Sequence, residues 1–116
     1  MKMITALIRP ERLEAVEEAL AAVLDEGDNY RITVDTVEGR GRQAGEVEYV
    51  RGRAVKVRMV QKTRVTIAVN DAYVEKTIEA IVKGAREGNV GDGKIFVVPL
   101  EDVVRIRTGE RGGKAI

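Results

Sequence analysis

"MITALIRPERLEAVEEAL" (3–20) and "VTIAVNDAYVEKTIEAI" (65–81) follow one plan. Each opens on a β-branched run, passes a residue suited to starting a helix, and continues as an amphipathic stretch. In the first copy Pro10 stands where an opening helical turn accepts it, and Leu13, Val16, Leu20, Val23 and Leu24 recur at helical spacing. In the second, Asn70 and Asp71 can cap a helix whose stripe is Val74, Ile78, Ile81, Val82 and Ala85. Between the copies, "DEGDN" (25–29) is turn chemistry, and "YRITVDTVEG" (30–39) alternates as a strand. "IFVVP" (95–99) reads as a further strand, and "DVVRIRT" (102–108) as a fourth or an edge pairing. The order β-α-β, a long connection, then β-α-β predicts an α+β, ferredoxin-like βαββαβ fold, an antiparallel sheet with two helices on one face. Such a fold leaves function open.

A chain of 116 residues predicts a single domain, 1–116. Aromatics are only 3% of the chain, so the core must be aliphatic. The formal net charge of +1 points to no class of partner. Cys, His and Ser are all absent, which excludes disulfides, thiolate nucleophiles, serine-based triads and histidine-ligated metals. Acid–base chemistry would fall on carboxylates, Lys or Tyr, and no general base stands out. No apolar run approaches the roughly 18–20 residues that span a bilayer. The start, "MKMITALIRPE", lacks the apolar region and cleavage site of a signal peptide. A cytoplasmic protein is expected.

Between the two halves lies "GRGRQAGEVEYVRGRAVKVRMVQK" (39–62), long for a connection in a compact domain. Arg40, Arg42, Arg51, Arg53, Lys56, Arg58 and Lys62 stand there against only Glu46 and Glu48. The alternation in "AVKVRMV" can extend a hairpin beyond the sheet, as a solvated arm or as one that meets an anion or a partner. "GDGK" (91–94) leaves two readings open, an ordinary tight turn or a glycine-rich nest for an anion. It is not a P-loop, because its lysine leads into a strand rather than a helix. "RIRTGERG" (105–112) sets Arg105 and Arg107 two apart, on one face if the segment is a strand. Guanidinium forks suit phosphate or carboxylate oxygens.

Taken together, "GDGKIFV" (91–97), "VRIRTGERG" (104–112) and the terminal "AI" resemble the PII signal-transduction proteins, the trimeric nitrogen-regulatory family. "GRGRQ" (39–43) and "RPERLEAVEEAL" (9–20) support the resemblance, which spans essentially the whole chain. It implies a compact homotrimer, with ATP or ADP bound in clefts between subunits and 2-oxoglutarate bound together with Mg-ATP. It further implies that Gly91, Asp92, Gly93 and Lys94 hold phosphates, joined by Arg42 and by Arg105 and Arg107 from the adjoining chain. Thr33 would lie near the adenine, Gln43 would ligate Mg²⁺ and 2-oxoglutarate, and Lys62 would pair with the distal carboxylate of 2-oxoglutarate. A flexible loop, about residues 40–60, would carry Tyr49, Arg51 and Arg53 to partners such as an ammonium transporter or a nitrogen-assimilation enzyme. The membrane would then be approached only through such a partner. Val55 stands where many members carry a modified tyrosine, Arg31 where a glycine is usual, Gln61 where a proline is usual and Glu87 where a threonine is common. The resemblance implies a sensor rather than an enzyme.

A reading from another class is a ferredoxin-like module whose basic arm binds nucleic acid. Tyr49 is the arm's only aromatic, and single-strand binders depend on stacking. Duplex binding through phosphates stays open to this arm and would weaken steeply with salt, but beside the resemblance no nucleic acid partner is expected.

Overall fold

The structure, a computed structural model, describes residues 1–24, 31–40, 48–50, 53–55 and 59–116, of which 48–50 and 53–55 are described by backbone alone. The two sequence copies are the two halves of the fold. Strand β1 (Lys2–Ile8) leads through a 3₁₀ turn, Pro10–Arg12, into helix α1 (Leu13–Val23), and β2 (Ile32–Arg40) follows. A small ribbon, β3 (Glu48–Val50) with β4 (Arg53–Val55), precedes the long strand β5 (Met59–Val69). A second 3₁₀ turn, Asp71–Tyr73, opens α2 (Val74–Ala85), and β6 (Lys94–Pro99) closes the sheet. The strand order is β2-β5-β1-β6, with every neighbouring pair antiparallel. This is the expected ferredoxin-like arrangement.

Cross-strand partners in an antiparallel sheet share a face, so the register sorts every strand residue. On one face Ile32, Ile67, Ile4 and Val97 form a continuous row across the four strands. Ile4, Ala6, Ile8, Val65, Ile67 and Val69 are buried there beneath Val16, Leu20 and Leu24 of the α1 segment and Ala80, Ile81 and Ala85 of α2. The helices cross closely because Gly84 has no side chain: a Cβ there would stand 2.7 Å from the Val16 Cα. Arg12 ties the crossing, its Nε donating to the Gly84 carbonyl at 2.9 Å. Fully burying aliphatic side chains of this size stabilises a fold by about 1.5–3 kcal/mol each. The aliphatic core is as composition required.

On the opposite face, no helix among the described residues lies over the sheet. Two rows cross it: Thr33, Thr66, Thr5 and Phe96, then Asp35, Arg64, Leu7 and Lys94. Phe96 is 48% exposed and Val98 53%. No helix among the described residues is long and apolar enough to cross a membrane.

Several expectations are corrected. Residues 102–108 are not a strand: Val104 makes one isolated bridge with Arg111, and residues 106–108 turn. The chain doubles back because Gly109 and Gly112 take φ of 75° and 78°, while Arg105 exchanges backbone hydrogen bonds with Gly109 and Glu110. Asn70 and Asp71 do not cap α2 with their side chains. Asn70 Nδ2 instead donates to the Gly113 carbonyl at 3.1 Å, and Asp71 accepts from the Met1 ammonium at 2.7 Å. Strand β5 begins at Met59, well before the β-branched run that opens the second copy at Val65, so β2 and β5 stay paired as far as Arg40 opposite Met59. The arm's hairpin extension is real at this end. Val23, expected in the stripe, is 36% exposed, whereas Thr77, outside it, is fully buried with its Oγ1 donating to the Tyr73 carbonyl.

Candidate functional site

The segment from Arg86 to Lys94 joins α2 to β6 across the end of the sheet. It cannot be built from ordinary residues. Gly88, Gly91 and Gly93 take φ of 88°, 104° and 103°, a region in which a Cβ is strained. At Gly93 space forbids one as well, since a Cβ would lie 1.7 Å from the Leu7 carbonyl oxygen. The backbone of the glycine-rich loop is thereby pressed against the end of β1.

Asp92 shapes this loop from within. Its carboxylate accepts from the backbone N–H of Gly88 at 2.9 Å and of Glu87 at 3.1 Å. Arg9 adds a third bond to it at 3.3 Å through Nε. These bonds, that from Gly88 first, hold the carboxyl below its ordinary titration range against the opposing effect of desolvation. Arg9 also reaches Glu87 Oε2 at 2.5 Å and donates through Nη2 to the Val90 carbonyl at 2.9 Å. Arg9 precedes Pro10, which keeps it extended, and from there its side chain lies along the loop.

A cleft of about 500 Å³ lies between this loop and the open sheet face. Leu7 and Phe96 line its sheet side, Gly39, Arg40, Val60 and Lys62 the β2–β5 side, and Val90, Gly91, Gly93 and Lys94 the loop side. Half-buried Lys62 donates from Nζ to the Gly91 carbonyl at 2.5 Å, linking the base of the arm to the loop. Arg40 and Lys94 are exposed and form no ion pair among the described residues. Arg40, Lys62 and Lys94 thus line one concavity together with the glycine-rich backbone. A polyanion suits such a wall, because guanidinium, ammonium and N–H groups all complement phosphate or carboxylate oxygens.

Of the residues expected from sequence, Lys62, Gly91, Gly93 and Lys94 come together in this cleft. Asp92 is in the same loop, but its carboxylate is turned to the loop's own amides and to Arg9. Thr33 is exposed on the same sheet face, opposite Thr66, and does not line the cleft. Arg105 and Arg107 do not line it either. Arg105 is held by its own C-terminal segment, donating to Glu110 Oε1 at 3.2 Å and to the Lys114 carbonyl at 3.1 Å. Arg107 is exposed in the turn that replaces the expected strand. Arg42, Gln43 and Arg51 lie outside the described residues, and Tyr49 and Arg53 are described only as backbone of β3 and β4.

Sequence reasoning missed Arg40 as a wall of the cleft and Arg9 as the loop's inner partner. Arg40 carries a signal, being an arginine at the end of a strand that leads into the basic segment. Arg9 carries almost none, because its partners lie more than 75 positions away. Among the described residues no group of three or more acidic, His or Cys side chains could hold a metal ion.

Comparison with known proteins places the whole chain in one family. Residues 1–110 match the family model of the nitrogen regulatory protein P-II. The chain is 50% identical over its full length to nitrogen regulatory protein P-II 2 of Methanothermobacter thermautotrophicus, covering 97% of that protein. It is 48% identical to nitrogen regulatory protein P-II of Azospirillum brasilense, with both chains covered completely. A crystal structure of Arabidopsis thaliana PII bound to citrate superposes with a TM-score of 0.77 at 38% identity, over 99% of this chain and 91% of that one. These names are those of regulatory proteins rather than enzymes. The chain belongs to the P-II nitrogen regulatory protein family.

Proposed function

We propose that this protein senses adenine nucleotide and 2-oxoglutarate, and passes the result to nitrogen-metabolism proteins through the 40–60 segment. The observation that carries the reading is the convergence of Gly91, Gly93 and Lys94 with Arg40 and Lys62 in one cleft at the root of that segment. The phosphates of ATP or ADP would lie against the glycine-rich backbone and Lys94. Gln43 would ligate Mg²⁺ and 2-oxoglutarate, Lys62 would meet the distal carboxylate, and Arg42 would join the phosphates. A citrate-bound relative of the same fold supports a carboxylate ligand for this architecture.

The reading includes a homotrimer. Its support is the sheet face that no described helix covers, where Phe96 and Val98 of edge strand β6 stand exposed beside the cleft. A second copy against this face would cover them and could bring Arg105 and Arg107 to a neighbour's phosphates. Thr33, on that same face, would meet the base. Tyr49, Arg51 and Arg53 would contact the regulated protein, an ammonium transporter or a nitrogen-assimilation enzyme. The switch is a population shift: ligand at the segment's root favours whichever arrangement gives it more contacts.

Isothermal titration with ATP, Mg²⁺ and 2-oxoglutarate tests the proposal. Absence of ATP binding at millimolar concentration overturns it. Lys62→Ala should lose 2-oxoglutarate while ATP binding largely remains. Sedimentation should return three times the chain mass, and a monomer would remove the inter-subunit site.

A further inference from the structure

Glu87 places a carboxylate in the same loop that walls a cleft read as a phosphate site, where simple electrostatics would have it weaken anion binding. Its contacts tell otherwise. Glu87 Oε2 stands 2.5 Å from Arg9 Nε, the same nitrogen that lies 3.3 Å from Asp92 Oδ1, while Arg9 Nη2 holds the Val90 carbonyl. Asp92 in turn holds the backbone N–H groups of Glu87 and Gly88. One guanidinium on the β1 side therefore grips the loop at residues 87, 90 and 92, between glycines that have no conformational preference of their own. The Arg9 side chain is only 18% exposed, so this grip is partly shielded from solvent.

We propose that Arg9 and Glu87 are positioning residues that hold the glycine-rich loop in its anion-receiving form before the ligand arrives. The proposal rests on the phosphate-site reading above. Preorganisation raises affinity by removing the entropy cost of ordering the loop at the moment of binding. It gives Glu87 a sign opposite to that expected of a carboxylate near phosphate. If Glu87 acts by holding Arg9, removing it weakens ATP binding. If it acts by charge alone, or if Arg9 serves the ligand directly, removing it tightens binding or leaves it unchanged.

The test is ATP titration of the full chain and of Arg9→Gln, Arg9→Lys, Glu87→Ala and the Arg9→Gln/Glu87→Ala double variant. Amide exchange is followed at Glu87 and Gly88 in the ligand-free proteins. We expect Glu87→Ala to weaken ATP about three- to fivefold and Arg9→Gln about tenfold, the sizes of a part-exposed ion pair and of a charged hydrogen-bond set. The double variant should be no weaker than Arg9→Gln, because both changes break one grip. Arg9→Lys should fall between Arg9→Gln and the unaltered chain. Exchange at Gly88 should quicken in Arg9→Gln and Glu87→Ala, while at Ile81 in α2 it stays unchanged. Unaltered or tighter ATP binding by Glu87→Ala, additive losses in the double variant, or unchanged exchange at Gly88 would each overturn the proposal. If the unaltered chain binds no ATP, the sensor reading falls, and the exchange rates still decide whether the grip exists.

Discussion

The two faces of the sheet are made by the same strands, yet they obey different rules. On the helix-covered face, Ile4, Ile67 and Ile81 are each 1% exposed or less, and one residue's role is its volume. On the open face, Asp35, Arg64, Lys62 and Lys94 stand in adjoining rows, and a residue's role is its charge and reach. Alternation along β5 divides the two: Thr63, Val65 and Ile67 go inward while Lys62, Arg64 and Thr66 go outward. On the proposed reading, stability and recognition are thus written on alternate residues of one strand, and each can be perturbed nearly alone.

The largest effect on that division should come from Ile67→Ala. Removing a buried aliphatic side chain costs about 2–5 kcal/mol through lost transfer energy and the cavity left behind. Denaturant unfolding should show that loss, while ATP affinity below the transition stays within about twofold, as expected of sites without shared partners. A large loss of affinity in the folded variant would mean that the faces are coupled.

Gly93→Ala comes next and strikes where the faces meet. A Cβ at φ 103° would meet the Leu7 carbonyl, so the loop must leave the end of β1. Strain of this kind costs about 1–3 kcal/mol, less than the core change. Yet on the proposed reading ATP affinity should fall by more than about tenfold, because the loop amides and Lys94 would leave their anion-facing positions together and more than one charged hydrogen bond would be lost. Calorimetry paired with thermal melting gives both numbers on one sample. Lys94→Met is gentler, removing a single exposed cation from the cleft. ATP affinity should drop about tenfold with melting unchanged, in line with the loss of one charged hydrogen bond.

The difference between the faces also explains what could be read from the sequence. The covered face was legible because burial repeats: a 3.6-residue stripe and a β-branched run cannot be hidden. Thr77 escaped because it is polar by name but satisfied locally by the Tyr73 carbonyl. The glycine-rich segment was legible as a turn from its glycines, while its reading as an anion site came only with the resemblance carried by "GDGKIFV" and "VRIRTGERG". Arg9 was not, since a lone arginine after a strand becomes meaningful only when residues 87–92 fold against it. The alternation in "VRIRT" misled because a period of two predicts a strand only if the chain runs straight. Gly109 and Gly112 turn it back within a few residues.

The smallest effect expected is one of acid, and it separates two carboxylates that share a direction of shift. Asp92 is held below its ordinary range by the Gly88 and Glu87 amides and by Arg9, and Asp35 by its two-point pairing with Arg64. A carboxyl depressed in the folded state stabilises that state above its unfolded value of 3.8, and loses that contribution as pH falls through the lower folded value. Nothing should therefore change between about pH 5 and 8 from either group. Below pH 3.8 the Asp92 carboxyl takes up a proton, and its bonds to the loop amides weaken. The Gly88 amide proton resonance should then move with an inflection below 3.8, and Asp92→Asn should abolish that inflection. Asp35→Asn should leave it in place, because Asp35 pairs with Arg64 across the open face and makes no bond to the loop. An inflection at Gly88 that vanished in Asp35→Asn would mean that the open face and the loop titrate as one unit, and that charge, like volume, is shared across the molecule.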